Sequence, residues 1–223
     1  MSPLVKICGL STPDTLDAAL DAGADMVGFV RFPRSPRHVG IEEGRALSAR
    51  AAGRALRVLL VVDADDLALG EAVEALAPDM LQLHGAESPE RVAAIRARFG
   101  RLVMKAIGVR TASDLARGKD YEGVADRLLF DARPPQEDSL PGGNGLAFDW
   151  RVLENLDPGS GFMLSGGLHA GNVGQAIAAA APWAVDVSSG VERRPGEKDP
   201  DAIEAFVRAA RAGVGAAEKD IVA

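Results

Sequence analysis

Eight short runs of apolar and β-branched residues recur along the chain: Leu4–Cys8, Asp25–Val30, Arg57–Val62, Asp79–His84, Leu102–Ile107, Arg127–Asp131, Gly161–Ser165 and Ala184–Ser188. Their starts lie about 21 to 34 residues apart. Unbroken apolar runs of this length are what strands buried on both faces look like. Between them the spacing turns helical. Leu16, Ala19 and Leu20 form one stripe, and Leu69, Ala72, Val73 and Leu76 a second. Val173, Ala176, Ile177 and Ala180 form a third, and Ile203, Phe206, Val207 and Ala210 a fourth. Three helix starts share one punctuation: Thr12-Pro13-Asp14, Ser88-Pro89-Glu90 and Asp199-Pro200-Asp201. Each offers a side-chain oxygen as cap, proline at the first helical position and a carboxylate in the first turn.

About eight strand–helix alternations with no linker predict an α/β fold, a (β/α)8 TIM barrel forming a single domain over residues 1–223. A doubly wound open sheet would show the same alternation, but no Gly-x-Gly-x-x-Gly follows an early strand. The longest connection, Ala132 to Ser160, carries Pro134, Pro135, Pro141, Gly142, Gly143 and Gly145 and is the candidate for a loop over a site.

In such a barrel the loops after the strands converge at one mouth. Polar residues gather at those ends. Cys8, the one cysteine, closes the first run; His84 closes the fourth after Gln82, Asp131 the sixth, and Ser188-Ser189 the eighth after Asp186. Alternation puts Lys6 on the face of Cys8, roughly 6–7 Å below it. An ammonium inside a barrel needs a partner, and Asp186 on the neighbouring eighth strand is the candidate. Each of these polar residues could also be a structural hydrogen bonder. Gly142-Gly143-Asn144-Gly145, Ser165-Gly166-Gly167 and Ser188-Ser189-Gly190 are turns whose amides can approach an anion. Loops after strands seven and eight frequently bind phosphate. The loop Phe32–His38 is stiffened by two prolines and presents Arg34 and Arg37, and a guanidinium suits a carboxylate.

Charge narrows the partners. With 25 Lys+Arg against 32 Asp+Glu the net charge is −7, which speaks against nucleic acid and anionic membranes. No apolar stretch reaches the roughly 18–20 residues of a membrane helix. No secretory signal is visible, and one cysteine suits a cytoplasmic location. His38, His84 and His169 lie apart without ligand spacing, so no metal and no cofactor are expected. The expected partner is a phosphorylated small molecule, bound by a monomer or homodimer.

These motifs together resemble the phosphoribosylanthranilate isomerase (TrpF) family. The residues that carry the likeness are Val5-Lys6-Ile7-Cys8-Gly9, Gly28-Phe29-Val30 with Ser35-Pro36-Arg37, Leu81–Gly85, Phe130-Asp131, Gly142–Gly145 with Phe148-Asp149-Trp150, Ser165–Leu168 with Asn172-Val173, and Asp186–Glu192 with Lys198-Asp199. The chain departs from the family's usual residues at Asn144, Arg31–Arg34 and Ser165. The resemblance implies an Amadori rearrangement of an aminoaldose phosphate to an aminoketose in tryptophan biosynthesis. It implies Cys8 as base, Asp131 as acid, and Arg37 on the anthranilate carboxylate. It places the phosphate at the backbones of Gly143, Asn144, Gly145, Gly166, Gly167, Ser189 and Gly190. Lys6, Gln82, His84 and Asp186 are supporting candidates. For both catalytic groups to work near pH 7, the thiol has to fall from about 8.5 and the carboxyl rise from about 3.9. Rival readings are the histidine-pathway sugar isomerase, the lyase that closes the indole ring, and a phosphate-binding barrel without activity.

Overall fold

The structure, a computed structural model, describes residues 2–132 and 161–217. Eight parallel strands close into a barrel in sequence order. They are β1 (Leu4–Cys8), β2 (Met26–Arg31), β3 (Leu56–Val61), β4 (Met80–Leu83), β5 (Leu102–Val109), β6 (Arg127–Ala132), β7 (Met163–Leu164) and β8 (Ala184–Val187). The seam is β1 against β8, with Lys6 level with Asp186. Helices α1 (Pro13–Asp21), α2 (Ile41–Ala51), α3 (Asp66–Leu76), α4 (Pro89–Phe99), α5 (Ala112–Ala116), α6 (Val173–Ala180) and α7 (Pro200–Ala217) lie between and after the strands. A short hairpin, β9 (Glu192–Arg194) with β10 (Glu197–Lys198), separates β8 from α7. The expected loop over residues 133–160 lies outside the described residues.

The expected caps form. Thr12 Oγ1 accepts from the amide of Thr15 at 3.4 Å, Ser88 Oγ from Arg91 at 3.3 Å, and Asp199 Oδ1 from Asp201 at 3.1 Å. A side-chain cap contributes about 1 kcal/mol to its helix. Run seven is shorter than its apolar pattern, because Gly161 takes a left-handed φ of 61° before the strand. Run five is longer and continues through Gly108 to Val109, paired with Asp131 and Ala132.

Alternation divides the core. Odd-numbered residues of the early strands, such as Val5, Ile7, Val27 and Phe29, pack outward on the helices. Met26, Val58, Met80, Met104, Ala106, Leu129, Met163 and Ala184 fill the lower interior as an apolar plug. Above that plug most inward positions become polar, with Val30 and Leu60 of β2 and β3 the apolar exceptions. The plug leaves the upper end as the place for chemistry. No helix among the described residues is long and apolar enough to cross a membrane.

Candidate active site

The inward residues above the plug line one pocket at the strand ends. Its wall includes Cys8, Arg37, Gln82, His84, Asp131, Gly166, Gly167, Asp186 and Ser189. Each comes from a strand end or the loop that follows it. Val30, Phe32, Leu60 and Val62 give the wall an apolar side. Of the expected residues, Lys6 lies beneath the pocket and is fully buried. Gly190 is not part of the lining. A Cβ there would stand 1.9 Å from the Leu168 carbonyl oxygen, so the missing side chain serves the packing of one loop on another. Gly143, Asn144 and Gly145 lie outside the described residues.

Lys6 Nζ donates to Asp186 Oδ1 at 2.8 Å, the partner expected from the seam. Ser165 Oγ donates to Asp186 Oδ2 at 3.2 Å. Burial disfavours the Lys6 ammonium, but Asp186 and the sulfur of Cys8 outweigh it and hold its pKa above the ordinary lysine value. Burial also pushes the Cys8 thiol up, against the pull of Lys6 and a smaller pull from Lys198. The expectation of a lowered thiol is therefore reversed. A side chain 4% exposed loses more from desolvation than one neighbouring ammonium, already paired with Asp186, restores.

On the far side, Gln82 Nε2 lies 2.9 Å from His84 Nδ1, and His84 Nε2 lies 3.2 Å from Asp131 Oδ2. With the amide donating to Nδ1, the ring carries its proton on Nε2 and donates it to the carboxyl. Gln82 is fully buried, so this chain aims the imidazole and the imidazole aims Asp131.

Gly166 and Gly167 have φ of 95° and 64°, a turn that side chains resist. Asn172 ties this turn to the start of α6: its Nδ2 donates to the Gly167 carbonyl at 2.9 Å, and its Oδ1 accepts from the His169 amide at 2.8 Å. Arg37 is not the solvent-presented arginine its loop suggested. It is 8% exposed and gives two hydrogen bonds to Glu192.

Three residues of the site had no role assigned from sequence. Gly28 is level with Cys8 on β2, and a Cβ there would lie 2.9 Å from the sulfur and 3.2 Å from Lys6 Nζ. A glycine inside a strand marks a close approach, so that signal was readable. Glu192 meets Arg37 across 155 residues and carries its own partner Lys198 with it, a separation for which local spacing carries no signal.

A thiol and a carboxyl on one barrel mouth make this a (β/α)8 enzyme of the acid–base class. A family model described as N-(5'phosphoribosyl)anthranilate (PRA) isomerase matches residues 5–209. The chain belongs to that family. It is 64% identical over 208 residues to the N-(5'-phosphoribosyl)anthranilate isomerase of Azorhizobium caulinodans, covering 93% of this chain and 91% of the relative. Its fold is similar to crystalline phosphoribosyl anthranilate isomerase from Thermotoga maritima, with a TM-score of 0.85, 34% identity, and coverage of 94% of this chain and 99% of that one. A further similar structure is of a phosphoribosyl anthranilate isomerase in complex with reduced 1-(o-carboxyphenylamino)-1-deoxyribulose 5-phosphate; its TM-score is 0.82 at 33% identity, again covering 94% and 99%.

Proposed function

We propose that this chain converts N-(5'-phosphoribosyl)anthranilate to 1-(2-carboxyphenylamino)-1-deoxyribulose 5-phosphate, the Amadori step of tryptophan biosynthesis, with Cys8 as base and Asp131 as acid. The observation that carries the role assignment is that both side chains line one pocket whose rim includes the Gly166-Gly167 turn and Ser189. Asp131 gives its proton to the furanose ring oxygen. The C1–O bond breaks, the ring oxygen becomes a hydroxyl, and C1 is left as a Schiff base with the anthranilate nitrogen. Cys8 then takes the proton from C2, and the electron pair moves into the C1–C2 bond to give an enolamine. The enolamine then gains a proton at C1 from the Cys8 thiol and loses the C2 hydroxyl proton to the Asp131 carboxylate, which leaves the ketone. No electron leaves the molecule, and both catalytic groups end as they began.

In this reading Arg37 holds the anthranilate carboxylate, and Val30, Leu60 and Val62 offer apolar surface in the same pocket. The turns at Gly166-Gly167 and Ser189 hold the phosphate; Gly143, Asn144 and Gly145, outside the described residues, are assigned to it by the family resemblance alone. We place the enzyme in the cytoplasm, as a monomer or homodimer, with no nucleic-acid partner. A steady-state assay of purified protein on phosphoribosylanthranilate, following loss of anthranilate-type fluorescence, tests the reading. Turnover is the expected result, and its absence in folded protein overturns it. For the roles, Arg37→Ala should raise KM more than it lowers kcat; the opposite split removes Arg37 from substrate binding.

A further inference from the structure

The hairpin after β8 runs back against the loop after β2. Gly196, between its strands, passes so near that a Cβ there would lie 2.5 Å from the Pro36 carbonyl oxygen. At the base of the hairpin Lys198 pairs with Glu192. Glu192 grips Arg37 with both oxygens: Nε donates to Oε1 at 2.7 Å and Nη2 to Oε2 at 2.8 Å. Lys198 Nζ donates to the same Oε1 at 2.7 Å, and also to the carbonyl and hydroxyl oxygens of Ser188 at 2.9 and 3.0 Å. The three charged side chains are 10%, 3% and 0% exposed, so solvent screens them little.

Among the described residues this group holds three charges. Arg37 with Glu192 alone is a neutral pair, and a neutral pair attracts a carboxylate weakly. Lys198 brings the group to +1. Glu192 is ionised at neutral pH, because Arg37 and Lys198 outweigh the burial that opposes it. Burial draws the Lys198 ammonium down to about 8 and Glu192 holds it there, so the extra charge is present at pH 7.

We propose that Lys198 is a positioning residue that sets affinity for the carboxylate end of the substrate: it neutralises Glu192, so that Arg37 is both oriented by Glu192 and left with its attraction for an anion. The proposal rests on Arg37 as the carboxylate-binding group. A purely structural Lys198 would tie the hairpin to Ser188 and leave the charge balance irrelevant. The two roles diverge when Glu192 loses its charge as well.

The test compares KM and kcat for phosphoribosylanthranilate at pH 7 in the parent, Lys198→Met, Glu192→Gln, the Lys198→Met/Glu192→Gln double variant and Arg37→Ala. Lys198→Met should raise KM about tenfold with kcat within about threefold of the parent. The double variant should return KM to within about threefold of Glu192→Gln, because with Glu192 uncharged Arg37 keeps its positive charge whether or not Lys198 is present. An unchanged KM in Lys198→Met overturns the proposal. So does a double variant whose KM stays as high as that of Lys198→Met. If Lys198→Met does not fold, the double variant is read against Glu192→Gln alone: equal KM supports the proposal, and a tenfold rise overturns it. A normal KM in Arg37→Ala overturns instead the assignment of Arg37 on which the proposal rests.

Discussion

Two lysines of this barrel are equally buried and serve different ends. Lys6 faces inward, and its side chain is 0% exposed against 5% for Asp186. Lys105 on β5 lies between Met104 and Ala106, both of the inner plug, so it faces the helical layer, with 3% exposure matched by 3% for Glu87. The ammonium of Lys105 reaches three acceptors: the Leu83 carbonyl at 3.3 Å, the Gly85 carbonyl at 2.7 Å and Glu87 Oε2 at 2.9 Å. Glu87 in turn accepts from the amides of Asp63 and Gly85, and its own carbonyl accepts from Tyr121. That set is closed, and it fastens the turns after β3 and β4. Lys6 meets one carboxylate below the sulfur of Cys8, and its field acts on that sulfur. Burial and pairing alone do not distinguish a fastener from an electrostatic device. The distinction lies in whether the charge is fully enclosed by its partners or also faces a reacting atom.

The sharpest break in this comparison comes through Cys8. Cys8→Ala should lower kcat by roughly a thousandfold or more while ligand binding survives. In that background Lys6→Met should add little, since the sulfur on which Lys6 acts is gone; a full further loss would give Lys6 a role of its own in the chemistry. In the parent, Lys6→Met should lower kcat about a hundredfold. Lys105→Met should instead cost stability, about 3–5 kcal/mol for stranding a buried Glu87, with kcat of the folded enzyme within about threefold of the parent. Denaturant unfolding and kinetics on the two variants check this, and matching losses of kcat would erase the contrast.

The pH profile separates the two lysines more finely. Burial raises the Cys8 thiol, and the base must be deprotonated, so kcat at saturating substrate should climb with pH through the ordinary thiol range near about 8.5 and beyond. Removing the Lys6 cation raises the thiol further and moves that climb to higher pH, whereas Lys105→Met leaves it in place. A profile flat from pH 6 to 9 in the parent would remove the thiol from the rate-limiting proton transfer. The smallest effect is expected at Ser165→Ala, which strips one hydrogen bond from Asp186: about 1 kcal/mol of stability and a rate change within threefold.

Much of this was legible along the chain. Alternation put Lys6 beneath Cys8 and Asp186 on the adjoining strand, because a period of two and a closed parallel sheet leave one arrangement for those positions. The three caps were legible because capping is decided within four residues. The environment of Arg37 was not. Two prolines and a run of polar neighbours describe an exposed loop, and only the return of a hairpin from the far end of the chain buries it. The direction of the thiol shift was missed for the same reason. Lys6 beside Cys8 suggests a lowered thiol, but desolvation depends on everything packed around the sulfur.

Residue order by itself determined the element sequence, the inward face of the strands and the gathering of Cys8, Gln82, His84, Asp131 and Asp186 at the strand ends, since these follow from local periodicity and capping. Tertiary structure alone decided how charged groups are shared: Glu192 between Arg37 and Lys198, Asp186 between Lys6 and Ser165, Glu87 enclosed around Lys105. Electrostatic balance in a dry interior is set by distances between side chains that lie far apart in sequence, and those distances exist only once the barrel has closed.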